Sequence, residues 1–107
     1  MSKQGKTLEK LQLLETLCRH GYASDIVEVT LDKIIAYEIE NAQKEAAELY
    51  AELQVFEAQY KISSQDFYQR FRQGEMGDDV DFVEWNAFYR MWLSVQERLE
   101  ILLSKSS

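Results

Sequence analysis

Proline is absent from these 107 residues, and glycine occurs only at positions 5, 21, 74 and 77. Proline and glycine are the residues that most often interrupt helices and shape tight turns. So few of them exclude a sheet with many turns and point to a few long helices. Cysteine occurs once, as Cys18, which excludes an internal disulfide and suits a reducing cytoplasm. Histidine also occurs once, as His20. A zinc site needs three or four convergent ligands, and one Cys with one His two residues away cannot supply them. A di-iron bundle would need Glu-x-x-His on two helices, and the sequence has none.

Long apolar runs are missing too. No stretch reaches the ~18 residues a membrane span requires, and the opening MSKQGKTLEK lacks an apolar signal-peptide core, so neither membrane insertion nor export is expected. No catalytic triad, cofactor fingerprint or paired general acid and base appears, which argues against an enzyme and against a bound cofactor. Gly74 and Gly77 are not followed by Lys-Ser/Thr; Asp78, Asp79 and Asp81 follow instead, and such a loop repels phosphate. The same aspartates fail as a calcium loop, because Val83 and Glu84 stand where a ligand and a glycine belong. Helix capping accounts for them better.

What the chain does have is acid, apolar residues and rings. Its formal net charge is −7, with 46% hydrophobic and 12% aromatic residues, ample for a core. Residues 1–20 carry +2, residues 21–60 carry −7 and residues 61–107 carry −2. Acidic surfaces repel nucleic-acid backbones and attract basic proteins, so only the N-terminal twenty residues favour nucleic acid at all.

Periodicity predicts four helices. The first spans about 6–20, with Leu8, Leu11, Leu14 and Cys18 at helical spacing and Arg19-His20-Gly21 as its stop. By this spacing, and by the usual burial of free cysteine, Cys18 is expected in the core. Ser24 or Asp25 caps a second helix reaching about Tyr60. Its apolar positions Ile39, Ala42, Ala46, Leu49, Leu53, Phe56 and Tyr60 alternate steps of three and four, and Leu31 and Ile35 extend the stripe backwards. This is a heptad seam that faces a partner helix. Ser63 caps a short helix carrying Phe67 and Phe71 and ending at Gly74, with Asp66 as its capping-box acid. Asp78 or Asp79 caps the last helix, from about Val80 to Leu103, whose seam is Trp85, Phe88, Trp92, Val95, Leu99 and Leu102.

Two seamed helices so close in sequence most simply fold back on each other. The expectation is therefore an all-α chain, a long antiparallel helical hairpin with a short N-terminal helix and a short helix at the hairpin tip. It reads as a single helical domain over 1–107, with 1–5 and 104–107 frayed. One seam contact falls short of offsetting the entropy of ordering such long helices, so a homodimer forming a helical bundle is expected.

Eight of the thirteen aromatic rings fall between residues 67 and 92: Phe67, Tyr68, Phe71, Phe82, Trp85, Phe88, Tyr89 and Trp92. A core under the hairpin's closed end is the plainer reading. Yet these rings cover more than one face of the last helix, more than one chain is expected to hide, and Trp, Tyr and Arg are the usual interface anchors. Phe67, Tyr68, Arg70, Phe71, Trp85 and Tyr89 are accordingly the candidate partner contacts, or the scaffold for them. Arg70, Arg72 and Arg90 lie among the rings and are placed to pair with carboxylates or with a partner. Stacking on single-stranded nucleic acid is disfavoured, since acids outnumber bases from Lys61 to Trp92.

Phe56-Glu57-Ala58-Gln59-Tyr60, Ser63-Ser64 with Phe67-Tyr68, Gly74-Glu75-Met76-Gly77-Asp78, and Phe82-Val83-Glu84-Trp85 follow a recurring pattern. With Gly21-Tyr22-Ala23-Ser24-Asp25 upstream, this pattern resembles small helical, antitoxin-like proteins of cyanobacteria and archaea over most of residues 20–103. The resemblance implies an antitoxin-like component of a toxin–antitoxin pair that holds or neutralises a small basic protein partner. Residues 8–40 are also similar to the helical half of ribbon-helix-helix repressors, which gives the alternative of a dimeric DNA-binding regulator using Lys3, Lys6, Lys10 and Arg19. Two departures weaken that alternative: no basic strand precedes the first helix, and the second helix is acidic.

Overall fold

Where the sequence places caps and stops, the backbone starts and ends its helices. The computed structural model describes residues 3–104, and its helices are α1 Lys3–Arg19, α2 Asp25–Tyr60, α3 Ser64–Arg72 and α4 Val80–Ser104, with no strand among the described residues. The protein is all-α. No helix among the described residues is long and apolar enough to cross a membrane.

Four junctions show how the sequence sets these limits. After α1, Gly21 adopts φ 81°; its N–H donates to the Cys18 carbonyl and that of Tyr22 to Leu17, a Schellman stop that needs a residue free of Cβ strain. The same arrangement closes α3 at Gly74, with Gly74 N–H on Phe71 and Glu75 N–H on Arg70. At the start of α3, Ser63 Oγ accepts the Asp66 N–H at 3.1 Å. At the start of α4, Asp79 Oδ1 accepts the Asp81 N–H at 2.9 Å, the capping role its position suggested. Removing the Ser63 hydroxyl (Ser63→Ala) is expected to lower stability by about 1 kcal/mol, read as a lower urea midpoint with an unchanged slope.

Of the positions expected to fray, 3–5 and 104 are helical, with Thr7 Oγ1 donating to the Lys3 carbonyl at 2.9 Å and Ser104 Oγ to that of Ile101 at 3.0 Å. The remaining positions of that expectation, 1–2 and 105–107, lie outside the described residues.

The chain divides into two compact units between Ala36 and Tyr37. In the first, α1 and residues 25–36 of α2 contain no buried residue. The stripe Leu8, Leu11, Leu14, Cys18 exists, but only Leu14 is half-buried. Cys18 is exposed, contrary to its expected place in a core. Helical spacing decides which residues share a face; it does not supply anything to cover that face. Likewise Ile35 is exposed and Leu31 only half-buried, so the α2 seam does not run back through them as a buried ribbon.

In the second unit the seams do pack. The Tyr60 hydroxyl reaches Asp81, Phe56 stacks on Trp85, and Glu45 pairs with Arg98. Moving back along α2 is therefore moving forward along α4, which makes their pairing antiparallel. One cluster joins Ala42, Leu49 and Val95, with Leu99 and Leu102 against it. The other joins Leu53, Phe56, Phe67, Trp85 and Tyr89, and α3 contributes Phe67 to it. All eight rings of the 67–92 segment are buried or half-buried within one chain, more than expected. They hide together because α3 lies over the α4 rings: Phe67 stacks on Trp85 with centroids 3.9 Å apart and planes 5° from parallel.

Candidate functional site

The six residues singled out from the sequence do gather at one end of the second unit, but with different roles. Phe67 and Trp85 are fully buried and act as scaffold, since a partner cannot touch rings sealed from solvent, while Tyr89 is buried but for 8% of its surface. Tyr68 and Phe71 are half-buried and Arg70 is exposed. Phe71 backs onto Phe67 at 5.5 Å, Tyr68 onto Tyr89 at 4.9 Å. Arg72, not Arg70, covers a ring, with its guanidinium carbon 5.5 Å from the Tyr68 centroid. Among the described residues neither Arg70 nor Arg90 forms an ion pair.

A polar relay runs through this core and was not foreseen. The Trp85 Nε1–H donates to Ser64 Oγ at 2.9 Å, and the Ser64 N–H donates to Glu57 Oε2 at 2.9 Å. Ser64 is the one buried polar residue among those described, and every buried side-chain polar atom there has a partner. The buried indole N–H needs an acceptor, and the first residue of α3 provides it. Helix α3 is thus tied to both α2 and α4 through its own first turn.

Glu57 and Ser64 of this relay line an open groove of about 230 Å³ together with Tyr50, Gln65, Tyr89, Trp92 and others. Tyr50 is exposed on its rim, Trp92 and Glu57 are half-buried. Glu57 uses Oε2 for Ser64, which leaves Oε1 to accept from an incoming donor. A carboxylate among ring faces suits a lysine or arginine side chain: the charge meets the carboxylate while its stem and flat faces lie on the rings. Burial, then the neighbouring Tyr68 and Glu57, pushes the Tyr89 hydroxyl above the usual tyrosine range, so it remains a neutral hydrogen-bonding group. Of the groove residues only Tyr89 was singled out from the sequence as a contact. Tyr50 and Glu57 carry no site signal of their own in the sequence and Gln65 belongs to the cap turn of α3; only the three-helix junction brings them together.

A second side-chain hydrogen bond joins α2 to α4: the Tyr60 hydroxyl donates to Asp81 Oδ2 at 2.5 Å. That hydrogen bond, then burial and the charges of Asp81 and Asp79, push the Tyr60 hydroxyl up to about 12. Only the protonated phenol donates, so this contact's stabilisation is complete below pH 10.0, the ordinary tyrosine value, and is lost as pH climbs through about 12. An alkaline absorbance titration is expected to show a late-ionising tyrosine that disappears in Tyr60→Phe. The same variant should lose the part of the fall in stability that the parent shows across that window.

Among the described residues no three of His, Cys, Asp and Glu converge as metal ligands. Comparison of the chain with protein-family models, with curated proteins and with solved structures finds no match.

Proposed function

We propose that this protein is a non-enzymatic binding module, antitoxin-like in role, that holds a small basic protein partner. The hairpin of α2 and α4, closed at its tip by α3, is its scaffold, and the groove at Tyr50, Glu57 and Trp92 is its point of recognition. One observation carries this reading: a half-buried carboxylate with an uncommitted oxygen lies among aromatic faces, on a unit that bears all of the chain's net negative charge. Residues 1–36 hold Lys3, Lys6, Lys10, Arg19 and Lys33 against Glu9, Glu15, Asp25, Glu28 and Asp32, so the whole −7 falls in 37–107. Such a field raises the encounter rate with a cationic protein, and the groove gives one of its side chains a seat. The toxin–antitoxin role itself rests on the sequence resemblance described above.

Affinity purification from the native host followed by mass spectrometry should return a stoichiometric basic protein that is released by raised salt. With that protein in hand, Tyr50→Ala and Glu57→Gln are each expected to weaken binding by about tenfold, or ~1.4 kcal/mol. Recovery of no stoichiometric partner, or affinities unmoved by both substitutions, would sink the reading. The alternative of DNA binding through α1 draws less support, because Arg19 is paired with Glu15 at 3.6 Å and the first unit has no net charge. Promoter DNA that fails to shift at low salt would remove it.

A further inference from the structure

The first unit has apolar faces and no core. Ile26 is 76% exposed, Ile34 51% and Leu11 48%, while Leu14, Val27 and Leu31 are no more than half-buried. These six residues line one open groove of about 220 Å³ between α1 and the start of α2. Below about 40 residues a unit rarely buries enough apolar surface to stand alone. A helix pair without a single buried residue is further still from doing so, since its ordering cost is met by packing that it does not have. Something must cover this groove.

We infer that its occupant is a second copy of the same chain, packed first unit against first unit. Charge selects this partner over others. α1 carries Lys3, Lys6, Lys10 and Arg19 against Glu9 and Glu15, a net of +2. Residues 25–36 carry Asp25, Glu28 and Asp32 against Lys33, a net of −2. A two-fold axis that lays α1 of one copy on residues 25–36 of the other satisfies both charges twice, as an isologous interface must. A strongly charged foreign partner gains nothing from a unit whose charges cancel. Two copies of residues 37–107, by contrast, repel each other with the full −7 on each. Self-association therefore belongs to the neutral, apolar N-terminal unit, and the buried layer is a four-helix arrangement of two α1 and two α2 segments. This is a different seat from the α2–α4 seam, which one chain fills by itself. The inference is tested separately from the basic-partner reading, since the two grooves share no lining residue.

The test is the mass of the full-length chain in solution. Sedimentation equilibrium and light scattering over a concentration series should give a dimer, twice the 12.6 kDa chain. Leu11→Glu and Ile34→Glu should each weaken dimerisation by at least about a hundredfold, roughly the effect of two lost core contacts per dimer. Val83→Glu, at an exposed apolar position of the second unit, should leave it unchanged. Far-UV circular dichroism of the two weakened variants should retain the urea transition of the second unit, which separates lost association from general unfolding. A parent that stays monomeric at every concentration overturns the inference. So does a dimer that survives both groove substitutions, or one that Val83→Glu dissociates.

Discussion

Trp85→Ala is expected to cost about 3–5 kcal/mol, the range for removing a large aromatic side chain from a packed core. That is a large share of the 5–15 kcal/mol typical of a whole domain. Trp85 is fully buried and touches every helix of the second unit: Phe56 and Tyr60 of α2 at 5.4 and 5.7 Å, and Phe67 of α3 at 3.9 Å, from its own place on α4. Truncation removes the ring that three others stack upon and strips Ser64 Oγ of its donor. Urea unfolding followed by far-UV circular dichroism should show the second unit melting far earlier than in the parent. Trp85→Phe keeps a ring in place and loses chiefly the hydrogen bond and some volume, so it should fall between the two. A truncated variant within about 1 kcal/mol of the parent would refute the stacked core, since so small a loss is ordinary for any substitution.

Ala42→Leu is expected to destabilise by about 1–3 kcal/mol through overpacking. Ala42 is fully buried beside Leu49 and Val95, with Leu99 and Leu102 near, where only a methyl group fits. Leucine is nearly as good a helix former as alanine, so any loss comes from the packing and not from the helix. Ala51→Leu on the exposed side of the same helix is the control, expected within about 0.5 kcal/mol of the parent. Equal midpoints for the two variants would mean that α2 and α4 do not meet at Ala42.

How much of this was legible beforehand follows from what a periodic pattern encodes. The steps of three and four from Ala42 to Tyr60 and from Trp85 to Leu102 announced two ribbons, and Ser63, Gly21, Gly74 and Asp79 announced ends, because each relies on chemistry local to a turn. Exposure was not local. Leu8, Leu11 and Cys18 show the same spacing as residues that are buried elsewhere, yet stay in solvent because the single chain brings nothing over them. For Phe67 and Trp85 the pattern left open partner contact or scaffold, and they are scaffold because α3 folds its own ring over α4. The Glu57–Ser64–Trp85 relay was invisible for a related reason: it joins a helix end, a cap turn and a helix interior through separations that no spacing rule covers.

The two tryptophans are also optically unequal. Trp85, sealed in the core, should emit toward the blue and resist quenching by iodide, and it offers a steady internal reference. Trp92, at the edge of the groove beside Tyr89, should emit further to the red and be quenched readily. Ligand arriving in the groove would dim or shift one colour while leaving the other alone, so the unlabelled protein reports its own occupancy.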